Sequence, residues 1–192
     1  MILGICGSPR EETTSYVLNK SLDNLKEKGY ETKSFEVGQK ELHPCQHCNY
    51  CLKNKKCIIN DDMQELYPLM KDANGFIIAT PIHCGGVSSQ IKMIMERTRA
   101  LEAIDLDILK GKVGMSIAVG GDRVGGQELA IQEINTFYII HSMIPVGGGS
   151  FGANLGACFW SKDNMDGIKK DQYGFKTLNR TLKHFTDFLN KK

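Results

Sequence analysis

Three apolar runs, each ending in a glycine-bearing loop, are the feature that most constrains the fold of this 192-residue chain. Residues 1–6, 75–80 and 113–119 contain no charged side chain. A strand that is buried on both faces of a parallel sheet has this kind of continuous apolar sequence. Because stretches with helical spacing of apolar residues separate the runs, the chain is predicted to alternate strands with helices, joined by right-handed crossovers.

The remaining elements are predicted from similar patterns. Residues 30–37 alternate apolar and polar side chains, which predicts an edge strand exposed on one face, and residues 143–146 predict a short fifth strand. Helices are predicted over residues 16–28, from Asn60 or Asp61 to residue 70, and over residues 88–99, 127–141 and 176–189. Five strands with these connections predict an α/β fold, a flavodoxin-like doubly wound parallel sheet in one domain of residues 1–192.

Composition and charge argue against several classes of protein. With 41% hydrophobic and 24% charged residues, the chain is expected among soluble globular proteins. A net charge of +2 gives no strongly basic surface of the kind that binds nucleic acid. The first residues lack the pattern of a signal peptide, and no apolar run approaches about 18 residues. We therefore expect a cytoplasmic protein with no nucleic-acid partner and no membrane partner.

Four of the seven cysteines lie within a short segment with the spacing C-x2-C-x2-C-x5-C: Cys45, Cys48, Cys51 and Cys57. Cysteines clustered in this way, in an odd total number, indicate metal binding rather than a secreted disulfide framework. A C-x2-C-x2-C run can wrap around an iron-sulfur cluster, whereas structural zinc usually uses two short pairs separated by a longer stretch. The spacing favours a [4Fe-4S] cluster in a loop of about residues 43–60. Zinc stays an alternative because of His43 and His47, as do free or disulfide-bonded cysteines.

The loop after the first predicted strand has the chemistry of an anion site. Ser8, Pro9 and Arg10 leave the strand, and the hydroxyl residues 13–15 open the following helix. A helix N-terminus favours negative charge through its free N–H groups, and an arginine can donate two parallel hydrogen bonds to a phosphate. One terminal phosphate is therefore expected here.

Two further loops follow the third and fourth predicted strands. Ligands of open parallel sheets bind beyond the carboxyl ends of the strands where the strand order reverses, and glycines let the backbone approach a flat ring closely. The three loops together predict a pocket for a phosphate-bearing planar cofactor such as FMN, although simple glycine turns would also explain the third loop. The candidate cofactor-binding residues are Ser8, Pro9, Arg10, Thr14, Ser15, Thr80, Pro81, Ile82, His83, Cys84, Gly85, Gly120, Gly121, Asp122, Arg123, Gly125 and Gly126.

These loop sequences and the cysteine spacing together resemble the iron-sulfur flavoproteins of anaerobic prokaryotes, within the NADPH-dependent FMN reductase-like superfamily. The resemblance covers most of the chain. It implies that the FMN phosphate meets Ser8, Arg10 and Ser15, that residues 80–85 line the isoalloxazine ring, and that residues 120–126 add contacts. Related reductases often carry tyrosine at the position of His83. The resemblance also implies a homo-oligomer, a dimer or a tetramer, in which each cluster approaches a flavin of another subunit.

The predicted function is an FMN-dependent oxidoreductase without a catalytic triad. It would take electrons from a ferredoxin-like donor through the [4Fe-4S] cluster and FMN to a small-molecule acceptor, for which the resemblance suggests oxygen or hydrogen peroxide. The position of the cysteine loop after the second strand predicts that it lies near the flavin-bearing edge of the sheet. Two alternatives stay open: an NAD(P)H-dependent FMN or quinone reductase with a structural zinc loop, and a redox or metal sensor.

Overall fold

A parallel sheet forms the centre of the computed structural model, which describes residues 1–191. Its strands run in the order β2-β1-β3-β4-β5, and every pairing is parallel. This is the flavodoxin order, with the switch point between β1 and β3. The strands are β1 (Ile2–Cys6), β2 (Thr32–Glu36), β3 (Gly75–Pro81), β4 (Val113–Gly120) and β5 (Ile144–Val146). The predicted fold class and strand order are confirmed.

A sixth strand, β6 (Ala157–Trp160), continues the edge that β5 begins. Residues 113–115 of β4 pair with β5, and residues 117–120 of β4 pair with β6. Residues 147–156 leave the sheet as a loop between the two segments. The prediction of five strands did not include β6, because four residues after a glycine-rich stretch are too short to show a strand period.

Helices cover both faces of the sheet. They are α1 (Thr13–Glu27), α2 (Tyr50–Asn54), α3 (Met63–Asp72), α4 (Ser89–Arg97), α5 (Arg99–Glu102), α6 (Gln127–Ile140), α7 (Met165–Lys170) and α8 (Gln172–Leu189). The core has two layers because alternate side chains of each strand point to opposite faces. Ile2 and Cys6 of β1 pack in the layer under α1 and α8, whereas Leu3 and Ile5 pack in the layer under α3, α4 and α6.

The helix boundaries differ from the predicted ones at places where polar residues begin a helix. Helix α1 begins at Thr13 rather than at residue 16, because hydroxyl residues form its buried first turn. Helix α8 begins at Gln172 rather than at residue 176, since Asp171 caps it by accepting a 2.9 Å hydrogen bond from the N–H of Gly174. Within residues 1–191, no helix combines the length and the apolar character that crossing a membrane requires.

Candidate flavin and metal sites

The carboxyl ends of β1, β3 and β4 bring the three predicted cofactor loops into contact. Ser88, which caps α4, donates a 2.7 Å hydrogen bond from its hydroxyl to the carbonyl oxygen of Gly7. Its backbone N–H donates a 3.0 Å bond to the hydroxyl of Thr80. On the other side, the Cα of Gly126 lies so close to Gly85 that a Cβ there would be 2.6 Å from the Gly85 carbonyl oxygen. The loops therefore form one continuous surface at the switch point.

The first loop is folded by its own serine. The Ser8 hydroxyl donates to the carbonyl oxygen of Arg10 at 2.7 Å and accepts from the N–H of Arg10 at 3.1 Å. Pro9 and Arg10 are exposed, and the Arg10 guanidinium lies 3.4 Å from the Glu12 carboxylate. Thr14 is buried in the first turn of α1. The loop thus presents backbone groups and the long, exposed cationic side chain of Arg10 at the N-terminus of α1, as an anion site requires.

Ser15 has a partner that the sequence did not reveal. Its hydroxyl donates to the carboxylate of Glu36, which ends β2, and Asn19 donates to the same carboxylate at 3.2 Å. A serine hydroxyl has a single proton to donate. In this arrangement Ser15 positions β2 against α1, and its proton is not directed at a phosphate.

The second loop contains a two-residue reverse turn. His83 and Gly86 exchange backbone hydrogen bonds of 3.1 Å in both directions, and the two residues between them have φ angles of +50° for Cys84 and +81° for Gly85. Two consecutive positive φ angles are the mark of a type I′ turn. His83 and Cys84 are exposed, whereas Pro81 and Ile82 are half-buried. The turn therefore leaves the side chains of His83 and Cys84 exposed at the carboxyl end of β3.

Thr80 was predicted to bind the cofactor together with residues 81–85, but its side chain has a different role from theirs. It is fully buried, and its hydroxyl donates to the carbonyl oxygen of Pro81 at 2.8 Å while accepting from Ser88. The hydroxyl is therefore engaged in shaping the loop.

Gln127, which the sequence reasoning missed, organises the third loop. Its amide nitrogen donates to the carbonyl oxygen of Asp122 at 2.6 Å, and its amide oxygen accepts from the N–H of Gly125 at 2.9 Å. A Cβ on Gly120 would lie 2.3 Å from that amide nitrogen, so a larger residue there would displace the Gln127 side chain. Gly121 packs in the same way against the carboxylate of Asp163. As the first residue of a predicted helix, Gln127 carried no sequence signal of this role.

Arg123, at the tip of the third loop, stacks on an aromatic ring. Its guanidinium carbon lies 4.5 Å from the ring centroid of Trp160, and the ammonium of Lys162 lies 4.4 Å from the same centroid. Such cation–π contacts orient a long side chain at modest cost. The exposed tip is therefore held toward the end of β6.

The four clustered cysteines line a single pocket. The pocket is partly open to solvent and is lined by Cys45, Cys48, Cys51 and Cys57, with His47 and Arg97 in the same wall. Cys51 lies on the short helix α2, and the residues that flank this helix, Asn49 and Lys55, both have left-handed backbone conformations. All four thiols are free. In residues 1–191, no three His, Cys, Asp or Glu side chains are grouped closely enough to hold one metal ion.

A buried ion pair lies beside this pocket. The guanidinium of Arg97 donates two hydrogen bonds, of 2.7 and 2.9 Å, to the carboxylate of Asp61, and both side chains are almost completely inaccessible. Burial raises the pKa of Asp61, but the hydrogen bonds from Arg97 and from the backbone N–H groups of His43 and Met63, together with the Arg97 charge, outweigh it, so that the pKa is lower than usual. Burial lowers the pKa of Arg97, and the Asp61 carboxylate together with Tyr67 and Cys57 more than reverses this. Both groups are therefore charged in the folded chain.

The cysteine pocket and the three loops contact opposite ends of α4. Arg97 and Ala100, at the end of α4 and in α5, line the pocket, whereas Ser88 at the start of α4 contacts the loops. A nine-residue helix is about 13 Å long. The expectation that the cysteine loop lies near the flavin-bearing edge of its own sheet is therefore wrong. The chain turns back after β2 and packs the cysteines against the far end of α4.

Comparison with known proteins assigns the chain to a family. The family model described as NADPH-dependent FMN reductase matches residues 1–157. An iron-sulfur flavoprotein of Archaeoglobus fulgidus is 59% identical over 191 residues, which cover 100% of this chain and 98% of that protein. The chain belongs to the iron-sulfur flavoproteins. An iron-sulfur flavoprotein of Methanocaldococcus jannaschii is 50% identical over 193 residues, covering 100% of this chain and 98% of that one.

The fold is shared more widely than the sequence. The structure of RosB with bound 8-demethyl-8-formylriboflavin-5'-phosphate aligns with a TM-score of 0.74 at 15% identity, over 99% of this chain and 79% of that one. At this identity the likeness concerns the fold alone. Membership of the family makes the iron-sulfur flavoprotein described here an FMN-dependent oxidoreductase that carries out flavin-based electron transfer. The predicted family and enzyme class are confirmed.

Proposed function

We propose that this iron-sulfur flavoprotein binds FMN in its three loops and a [4Fe-4S] cluster in the pocket of the four cysteines. It would carry electrons from a ferredoxin-like donor to a small-molecule acceptor, with oxygen and hydrogen peroxide as the first candidates. The observation that carries the proposal is the single pocket that all four cysteines line. When bound, the cluster exchanges single electrons and the flavin exchanges one or two.

The donor set of the pocket fits a cluster. Four thiols at separate points of one wall can each bind a different iron of a cubane. A tetrahedral zinc site needs its ligands about 2.3 Å from one shared ion, a closer arrangement than a cubane requires. Thiolate ligands persist in a reducing compartment, so we place the protein in the cytoplasm.

The loops fit a flavin with a terminal phosphate. Open space lies where a Cβ of Gly85 would stand, so a flat ring can approach its backbone, and the first loop offers backbone N–H groups and Arg10 to a phosphate. We propose that Ser8, Pro9, Arg10 and Thr14 surround the phosphate, while residues 81–85 and 120–126 surround the ring. Thr80 and Ser15 would act indirectly, because their hydroxyl protons are directed at protein groups.

The separation of the two sites along α4 supports assembly. The two sites lie at opposite ends of α4 within one chain. In a homo-oligomer such as a tetramer, the cysteine pocket of one copy would lie beside the flavin of another, so that electrons could pass between them. Apolar side chains exposed near the pocket and on α6 suit such contacts: Leu52, Ile58, Ile104, Leu106, Ile139 and Ile140.

Purification without air tests the proposal. We expect about four irons and four sulfides for each FMN-bearing chain, with an EPR signal that appears on reduction. Reduction by a ferredoxin should be faster than reduction by NADPH, and native mass spectrometry should find an oligomer. One zinc per chain with no sulfide, together with rapid hydride transfer from NADPH, would support a reductase with a structural zinc loop instead.

A further inference from the structure

We propose that Arg97 is the positioning residue of the cluster site, holding the cysteine segment closed and donating a hydrogen bond from Nε to a cluster sulfur. This proposal rests on the proposed [4Fe-4S] site. It assigns to one buried side chain both the shape of the pocket and part of the control of the cluster's reduction potential.

Arg97 bonds to both flanks of the cysteine segment. It donates to the carbonyl oxygen of His43 at 2.8 Å, two residues before Cys45, and at 3.5 Å to that of Ile59, two residues after Cys57. Asp61, the carboxylate partner of Arg97, also accepts a 3.0 Å bond from the N–H of His43. One side chain of α4 therefore ties the beginning of the segment to its end.

The Nε of Arg97 has no partner of its own. It is buried and makes no hydrogen bond, although the side chain lines the pocket of the four cysteines. A buried N–H without an acceptor is costly, and such groups in native proteins usually face a ligand, a water molecule or an ion. Thr32 Oγ1, the other such side-chain atom in residues 1–191, lies on β2 and does not line the pocket. Sulfide and thiolate sulfurs are acceptors, so a cluster in the pocket would satisfy Nε.

The ion pair determines in which direction this contact would shift the reduction potential of the cluster. Asp61 occupies the two terminal nitrogens of the guanidinium, which leaves the positive end of the pair on the Nε side. A cluster held by four thiolates gains negative charge when it is reduced, and hydrogen bonds to its sulfurs are among the factors that set its potential. Arg97 should therefore favour the reduced cluster, and Asp61 should weaken that effect.

Two substitutions that are expected to shift the reduction potential of the cluster in opposite directions separate this role from a purely structural one. Arg97→Lys keeps the positive charge but lacks the Nε donor and the bidentate guanidinium. At the potential where half of the parent cluster is reduced, we expect the ratio of reduced to oxidised cluster to fall about tenfold in this variant. For one electron this corresponds to a midpoint potential lower by about 59 mV. Asp61→Asn removes the opposing charge and should raise the same ratio. Arg180→Lys is the control for the loss of an arginine fork, because Arg180 bonds to the carbonyl oxygens of Ser150 and Phe151 and does not line the cysteine pocket.

The measurement is an EPR-monitored redox titration of the protein purified without air, with iron and sulfide determined on each sample. Shifts of opposite sign for the two variants, with the Arg180 control unchanged, would support the proposal. Shifts of the same sign, or an unchanged potential in variants that hold a full cluster, would overturn it. If Arg97→Lys loses iron, Asp61→Asn alone decides by the sign of its shift. A parent protein without iron and sulfide would refute the proposed function instead.

Discussion

The hydroxyl of Ser88 donates a 2.7 Å hydrogen bond to the carbonyl oxygen of Gly7, across 81 positions of sequence. The same hydroxyl accepts from the N–H of Ile91 at 3.3 Å and so caps α4. One side chain therefore fixes the end of β1, the start of α4 and, through its backbone, the loop after β3. The geometry of the three loops therefore depends on a residue that is not among the predicted cofactor-binding residues.

Ser88→Ala should weaken both the fold and flavin binding. It removes a helix cap and a buried hydrogen bond, for which we expect a loss of about 1–2 kcal/mol in the free energy of unfolding. Because the first two loops lose their link, the dissociation constant for FMN, measured by fluorescence titration, should rise. Ser89→Ala is the control, since Ser89 is exposed and bonds only to its neighbour Gln90. Equal effects of the two substitutions would contradict this role of Ser88.

Gly126→Ala should disturb the contact between the second and third loops. Gly126 has a φ angle of +103°, and a Cβ would lie 2.6 Å from the carbonyl oxygen of Gly85. Backbone strain of about 1–3 kcal/mol is expected together with a displaced loop and weaker FMN binding. Gly29→Ala has a comparable φ of +87° but open space around it, so it should show the strain alone, without loss of FMN affinity. Calorimetry and flavin titration of both variants test the difference.

Cys48→Ser should remove the metal centre and leave the flavin. Cys48 is the exposed member of the four and lines their pocket, so serine there takes away one thiolate without disturbing the core. We expect iron and sulfide to fall well below the parent content while FMN content is retained. Cys158→Ser is the control, because burial raises the pKa of Cys158 to about 12 and this thiol lies outside the pocket. Full iron content in Cys48→Ser would exclude Cys48 as a ligand.

The parts of this structure that could be predicted are those whose conformation is determined by the local sequence. Strands β1, β3 and β4 are buried on both faces, so their apolar runs identified them, and parallel topology then placed the loops. The contact of Ser15 with Glu36 and that of Arg97 with Asp61 join residues far apart in sequence. No local pattern distinguishes an arginine in a buried ion pair from a solvated one, so the sequence did not indicate that the cysteine segment packs against the end of α4 that carries Arg97.

The pH dependence of stability should report the pair of Asp61 and Arg97. Hydrogen bonds from Arg97 hold the pKa of Asp61 below its usual value, so the unfolded chain binds a proton at this group more tightly than the folded chain does. The stabilisation is fully present above the unfolded pKa of about 3.9 and is lost as the pH falls toward the folded pKa.

Asp61→Asn should therefore be less stable than the parent at neutral pH, and acidification should lower its free energy of unfolding by less than that of the parent. Leaving the buried Arg97 charge unpaired should cost about 3–5 kcal/mol near pH 7. The gap between parent and variant should narrow as the pH falls from about 4 toward the lowered pKa of folded Asp61, because the carboxyl of the unfolded parent binds a proton in that range. Asp62→Asn is the control, because Asp62 is half-buried and its nearest cation, Lys40, lies 4.0 Å away. Chemical denaturation at several pH values measures the gap. A gap that stays constant on acidification would mean that Asp61 is not the titrating partner of Arg97.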